Sequence, residues 1–75
     1  MSKVQHSVTV RFADDVWSWK AHHYDYEHEA KRCFEYYVEE MTKEFAETGR
    51  PVIVKRFIQN IQESSLIEMD EKTIQ

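Results

Sequence analysis

The side chains best suited to metal chemistry lie between positions 22 and 29, where three of the four histidines stand among carboxylates and tyrosines. Imidazole and carboxylate groups this close together could bind Zn²⁺, Ni²⁺ or Cu²⁺. The spacing of His22, His23 and His28 matches no metal-binding pattern, because no two histidines stand four residues apart and no thiolate is near. We therefore predict no metal site and no cofactor. The alternative is a pH-sensitive surface, since histidines become charged between about pH 5 and 7.

No arrangement of nucleophile and base is evident in the sequence. Ser64 and Ser65 are adjacent, but no glycine-rich turn of the kind that presents a nucleophilic serine surrounds them. The only glycine, Gly49, follows a predicted helix and so does not belong to a phosphate-binding loop. Cys33 lies on an apolar helix face, where we expect a buried, reduced thiol. The sequence therefore predicts a protein that is not an enzyme.

Acidic side chains are concentrated in one predicted helix, which carries seven glutamates and only three basic residues. A glutamate and a lysine four residues apart attract each other, whereas two glutamates at that spacing repel. The helix has pairs of both kinds, so its acidic face has two interpretations. It is either a solvated surface or a row of carboxylates that imitates nucleic-acid phosphates, as in acidic inhibitors of viruses and mobile elements. The row would consist of Glu35, Glu39 and Glu40.

Aromatic residues are crowded into the middle of the chain, more than one side of a small sheet and helix can readily bury. Trp and Tyr are favoured anchors of protein interfaces, so we predict a partner-binding surface at Trp17, Trp19 and Tyr36. The competing interpretation places both tryptophans in the core and leaves one tyrosine exposed. A stacking surface for single-stranded nucleic acid ranks third, because it needs a basic groove. The crowded residues are Trp17, Trp19, Tyr24, Tyr26, Phe34, Tyr36 and Tyr37.

A long amphipathic helix is predicted from Tyr26 to Thr48. Apolar residues recur there at spacings of three and four and therefore form one stripe along the helix. Asp25 is the expected N-cap, and Gly49 followed by Arg50-Pro51 stops the helix. The stripe consists of Tyr26, Ala30, Cys33, Phe34, Tyr37, Val38, Met41 and Phe45.

Two strands are predicted before the helix. Residues 6–12 alternate between apolar and polar side chains, as expected of a half-buried strand, and Val4 extends the pattern. Residues 16–21 hold two tryptophans two positions apart, which share a face if the segment is extended. We favour a β-hairpin, although Asp15 could instead cap a helix that runs into the long one.

One or two further strands are predicted after the helix. Residues 51–58 open with three β-branched residues after a short connection, which favours a strand, although the apolar spacing from Val54 onward also suits a helix. Residues 65–69 would pair with them as a weaker strand, and the polar residues 70–75 would fray. The predicted fold class is α+β: a small antiparallel sheet in ββαβ or ββαββ order, with one long helix packed on one face.

Composition and charge limit the class of protein. A chain of 75 residues forms one domain, with residues 4–69 ordered, whose own core is barely sufficient. A net charge of −4 has the wrong sign for general affinity to phosphate backbones, so we expect no direct nucleic-acid binding. No apolar run approaches 18 residues and a single cysteine suits a reducing compartment. We therefore expect a cytoplasmic protein that is not inserted into a membrane.

The length of the predicted helix bears on self-association. At 1.5 Å per residue it is about 34 Å long, which exceeds the roughly 25 to 30 Å breadth expected of so small a domain. Either the helix projects or a partner covers it, so we predict a homodimer. The leading prediction is a protein-binding module that uses an aromatic patch beside an acidic helix face, with another protein as its partner.

Overall fold

Two β-hairpins joined by one helix make up the fold, in a computed structural model that describes residues 4–75. The four strands form one antiparallel sheet in the order β2-β1-β3-β4. The predicted α+β class is therefore confirmed, in its ββαββ form. The elements are β1 (Val4–Phe12), β2 (Asp15–Tyr24), α1 (Glu27–Thr48), β3 (Val52–Asn60) and β4 (Ser65–Ile74).

The helix α1 begins one residue later than predicted and ends where predicted. Tyr26 occupies the N-cap position with an extended backbone and no side-chain cap, so the prediction that Asp25 caps the helix is wrong. Tyr26 is also exposed rather than part of the stripe, because it precedes the first turn. At the other end, Gly49 adopts a left-handed conformation (φ 70°) and its N–H donates to the Phe45 carbonyl at 2.8 Å.

The core lies between α1 and the two central strands. Its buried valines alternate along β1 and β3, and Val10 lies opposite Val54 across the strand pair. Ala30 has no exposed surface, so the helix backbone approaches the sheet closely there. The rest of the stripe packs around this centre as partly buried side chains, namely Cys33, Phe34, Tyr37, Val38, Met41 and Phe45.

The two segments with competing interpretations are both strands. Residues 16–21 belong to β2, so the alternative of a helix before α1 is wrong. Residues 51–58 belong to β3, where Val52 and Val54 are buried in the core beneath α1. β-Branched side chains pack well on a pleated surface, and here that preference outweighs the helical spacing of the apolar residues.

Strand β4 runs past its predicted end, so the prediction that residues 70–75 fray is wrong. Its last residue, Ile74, lies opposite Val52 with only 6% of its surface exposed. The Asp70 carboxylate accepts a hydrogen bond from Arg56 Nε at 2.7 Å. Backbone pairing with β3 and one apolar anchor therefore hold a segment whose side chains are mostly polar.

The molecule is longer than its helix. The longest extent is 46 Å, whereas the 22 residues of α1 span about 33 Å. The helix is therefore shorter than the longest dimension of the molecule, and its length alone does not require a partner. Apolar side chains are exposed at the turn between β3 and β4, namely Ile61, Leu66 and Ile67.

Candidate functional site

The face of the sheet opposite to α1 is open to solvent within residues 4–75. Side chains alternate along a strand, so β1 directs Val8 and Val10 towards the helix and Thr9 and Arg11 towards the open face. A shallow depression of about 330 Å³ lies on this face. Its lining residues form what we call the open-face surface: Thr9, Arg11, Val16, Trp19, Ile53, Lys55 and Phe57.

The two tryptophans are exposed, so the interpretation that places them in the core is wrong. Trp17 shows 89% of its surface to solvent and Trp19 shows 55%. The cause is a bulge in β2. Val10 pairs with Lys20 and Phe12 pairs with Asp15, so one residue of β1, Arg11, stands opposite the four residues 16–19 of β2.

Hydrogen bonds from within the hairpin hold this bulge. The Ser18 hydroxyl donates to the Asp15 carbonyl at 2.7 Å and accepts from the Phe12 N–H at 2.9 Å. The Trp17 N–H donates to the Asp15 carboxylate at 3.0 Å. These bonds satisfy backbone groups that a regular ladder would have paired, so the exposed position of the Trp17 ring is a stable feature of the hairpin.

A groove runs between α1 and β2 on the helix side of the sheet. One part has a volume of about 450 Å³, and a second part of about 200 Å³ shares Tyr37 with it. We call the two parts together the seam groove. Its walls from the helix and from β2 consist of Ser18, Lys20, His22, Tyr24, His28, Glu29, Arg32, Cys33, Tyr36, Tyr37, Met41 and Glu44.

Hydrogen-bonded rings line the middle of the seam groove. The Tyr37 hydroxyl lies 2.7 Å from His22 Nε2, and the two rings are stacked with centroids 5.3 Å apart. A hydrogen bond with Cys33 and partial burial raise the pKa of Tyr24 to about 12. Burial likewise raises the pKa of Tyr37. Both tyrosines are therefore neutral at physiological pH and act as hydrogen-bonding groups rather than as bases.

The structure does not bring the three metal-ligand candidates together. His22 faces the seam groove, whereas His23 lies on the other side of β2, with its Nδ1 2.8 Å from the Ser7 hydroxyl. His28 stacks on Tyr26 instead, with ring centroids 5.7 Å apart. Among residues 4–75, no group of three His, Cys, Asp or Glu side chains is placed to hold a metal ion.

The acidic face of α1 is partly neutralised by lysine. The predicted pairs of Glu27 with Lys31 and Glu39 with Lys43 form, at 3.0 and 3.8 Å. The Lys31 ammonium lowers the pKa of the Glu27 carboxyl through a hydrogen bond. Lys43 also lies 3.6 Å from Glu40. Two of the three carboxylates in the predicted row therefore share one cation.

The predicted aromatic patch and acidic face do not form one surface. Trp19 lies on the open face of the sheet, whereas α1 with its glutamates covers the other face. Tyr36 lies by the seam groove, where its ring meets Tyr37 edge-on at 5.3 Å. Trp19 is therefore separated from Glu35, Tyr36, Glu39 and Glu40, because the helix that carries those four residues packs on the other face of the sheet.

Several residues of these surfaces escaped the sequence analysis. Ile53 and Phe57 of β3 lie on the open face, and the period-two pattern from Val52 onward would have placed them there once the strand was recognised. Arg32 and Lys20 line the seam groove. Nothing in the sequence signals these cations, because their positions depend on how the helix lies across β2.

No family model, no curated protein and no solved structure matches this chain. Over residues 4–75, the single helix is too polar along its length to cross a lipid bilayer. The function must therefore be inferred from the surfaces of the molecule itself.

Proposed function

We propose that the chain is an intracellular protein-binding module without catalytic activity, and that the open-face surface is its principal contact with other proteins. The observation that carries the proposal is the exposure of Trp19 on this face, where it shows 55% of its surface. Trp17, two residues earlier in the same hairpin, shows 89%. Burying a large aromatic ring that is exposed to water is favourable in free energy. Tryptophan is also among the residues that contribute most to binding energy at protein interfaces.

The surroundings of the tryptophans support a protein partner. Ile53 and Phe57 extend the apolar area across the sheet, and Arg11 and Lys55 border it. An apolar centre with polar groups around it is the usual anatomy of a protein interface. The Lys55 ammonium lies 3.9 Å from the Glu68 carboxylate, so the border holds both signs of charge rather than the uniformly basic groove that single-stranded nucleic acid needs.

The open-face surface also supports a homodimer. Only six hydrophobic side chains are buried in the described part of the chain, so its own core is small. A second copy packed on the open face would cover Trp19 and bury at least about 1,000 Å² in total, which is the size expected of a specific interface. We propose that the protein forms such a dimer when its partner is absent.

A second candidate function uses the acidic face of α1. Glu35 is exposed, and the Glu39 side chain projects into solvent from the helix, which packs on the face of the sheet opposite to Trp19. These carboxylates could imitate nucleic-acid phosphates and block a basic nucleic-acid-binding surface of a target. The Lys43 ammonium beside Glu39 and Glu40 weakens this candidate, because it offsets part of their charge.

Partner capture from the native host tests the proposed function. The tagged wild type and a Trp17→Ala, Trp19→Ala variant are compared by quantitative mass spectrometry of captured proteins. Tyr26→Ala serves as the matched control, since Tyr26 is an exposed aromatic residue outside the open-face surface. We expect the tryptophan variant to lose a captured protein by tenfold or more, as expected of anchor residues worth about 2 kcal/mol. Equal capture by all three proteins would refute this function.

A further inference from the structure

The outer edge of β2 has no strand beside it in the described part of the chain. In the order β2-β1-β3-β4, strand β2 pairs with β1 on one side only. Beyond the bulge, residues 20–24 keep a regular register with β1, from Lys20 opposite Val10 to Tyr24 opposite His6. An unpaired edge presents backbone N–H and C=O groups to which an extended peptide can add as a further strand.

The two faces beside this edge differ in chemistry. On the helix side, Lys20 and His22 line the seam groove, and Arg32 lies on its opposite wall. On the open side lie Trp19, which lines the depression there, and, by alternation along β2, Ala21 and His23. A strand added at about 4.8 Å from β2 would send alternate side chains to each face. One set would therefore enter a groove lined by Lys20, Arg32 and two glutamates, and the other would lie beside Trp19, Ala21 and His23.

The charges around the seam groove favour acidic side chains. No carboxylate of the described residues lies within ion-pairing distance of Lys20 or Arg32, although the protein carries a net charge of −4. Glu29 and Glu44 also line the groove, Glu29 one turn before Arg32 and Glu44 three turns after it. A carboxylate that reached Arg32 could accept two parallel hydrogen bonds from its guanidinium.

The geometry points to strand addition at residues 20–24 of β2 as the way this protein binds its partner. The bound element is an extended segment in which acidic side chains, facing Lys20 and Arg32, alternate with apolar side chains, facing Trp19 and Ala21. This inference rests on the proposed function and specifies the partner chemistry. The bulge at residues 16–19 ends the regular edge, so the paired segment is about five residues long.

Synthetic peptides test both the alternation and the charge. The probe is a fluorescein-labelled eight-residue peptide of alternating Glu and Val. Its controls are an alternating Lys and Val peptide and a peptide with the Glu and Val residues in two blocks. We expect fluorescence anisotropy to show binding of the probe at least about tenfold tighter than that of either control, since only the probe matches charge and face together. Equal binding of the block peptide would overturn the inference.

Amide hydrogen exchange locates the bound peptide. Backbone N–H groups on the outer edge of residues 20–24 should exchange more slowly when the probe is bound, because they then donate to the added strand. Slowed exchange of amides in β1 and β3 alone, without protection of this edge, would indicate that the peptide lies across the open face. That result would overturn the inference.

Charge-reversal variants separate this inference from the proposed function. Lys20→Glu with Arg32→Glu should weaken binding of the probe by about tenfold or more. Lys43→Glu with Lys72→Glu, which makes the same change in net charge away from the groove, should leave probe binding nearly unaltered. Host capture that is lost on Trp17→Ala, Trp19→Ala but kept on Lys20→Glu, Arg32→Glu would retain the proposed function and reject strand addition at β2.

Discussion

At the scale of single residues, the molecule contains a buried charge that depends on one counter-ion. Arg56 lies in the helix-covered side of β3 with only 3% of its surface exposed. Its Nε and Nη2 both approach one oxygen of Asp70 at 2.7 Å. Its Nη1 and the nearby His6 Nδ1 have no hydrogen-bond partner among the described residues. A buried guanidinium is costly unless it is paired, so the ion pair helps to anchor β4.

Removing the charge of Asp70 should therefore destabilise the fold. We expect Asp70→Asn to lower the free energy of unfolding by about 2 kcal/mol, less than for a fully enclosed pair because the Asp70 side chain is half exposed. Glu68→Gln is the matched control, since its 3.9 Å pair with Lys55 is on the surface and should matter by less than about 0.5 kcal/mol. Urea denaturation of both variants measures the difference. Equal stability of the two variants would show that Arg56 does not need this counter-ion.

At the scale of elements, the helix presents its carboxylates to solvent with lysines among them. Lys43 lies within 4 Å of both Glu39 and Glu40, and only Glu35 of the predicted row has no ion pair among the described residues. Such exposed pairs contribute little to stability. The acidic face is therefore available for binding but is not a uniform row of charge.

Replacing Glu35, Glu39 and Glu40 by Gln tests whether this face binds a partner. We expect dimerisation and partner capture to be unaltered, because Lys43 already offsets two of the three charges. Association rates at low and high salt provide the measurement. A sharp fall in the association rate, together with a wild-type affinity that drops steeply as salt is raised, would favour the phosphate-mimic function instead.

The success of sequence reasoning differs among the elements for physical reasons. The alternation in β1 and the stripe in α1 are repeated over several residues, so both elements were predictable. The end of β4 depends on Ile74 alone, and one apolar residue in a polar segment gives no periodic signal. The bulge that exposes Trp17 arises from hydrogen bonds of Ser18 and Asp15 within the hairpin, and the alternation of residue types does not encode it.

At the scale of the whole molecule, whose longest extent is 46 Å, one helix covers one face of the sheet and leaves the other face uncovered within the described residues. The division of the candidate residues between these faces could not be predicted, because it depends on the strand order and on the path of α1 across the sheet. The sequence pattern predicted one surface that contains both Trp19 and Glu39. In the fold the sheet lies between them.

The bare face predicts self-association. We expect analytical ultracentrifugation to report twice the chain mass of 9.1 kDa and Trp19→Ala to shift the protein to monomer, since the ring would lie in the dimer interface. Tyr26→Ala should remain dimeric, because that exposed ring lies outside the open-face surface. A wild type that stays monomeric at high concentration would contradict the dimer.

The pairing of β1 with β3 has a consequence for the order in which the chain folds. Each hairpin and the helix consist of neighbouring residues, and such local elements form within microseconds. The contact of Val10 with its partner strand at Val54 instead closes a loop that includes the whole helix. Pairing of β1 with β3, which joins the two halves of the sheet, should therefore limit the folding rate. Val10→Ala should slow refolding in stopped-flow experiments, because its contacts across the strand pair form in the rate-limiting step. A substitution in the turn at residues 61–64 should slow refolding as well, because that hairpin forms before the two halves join.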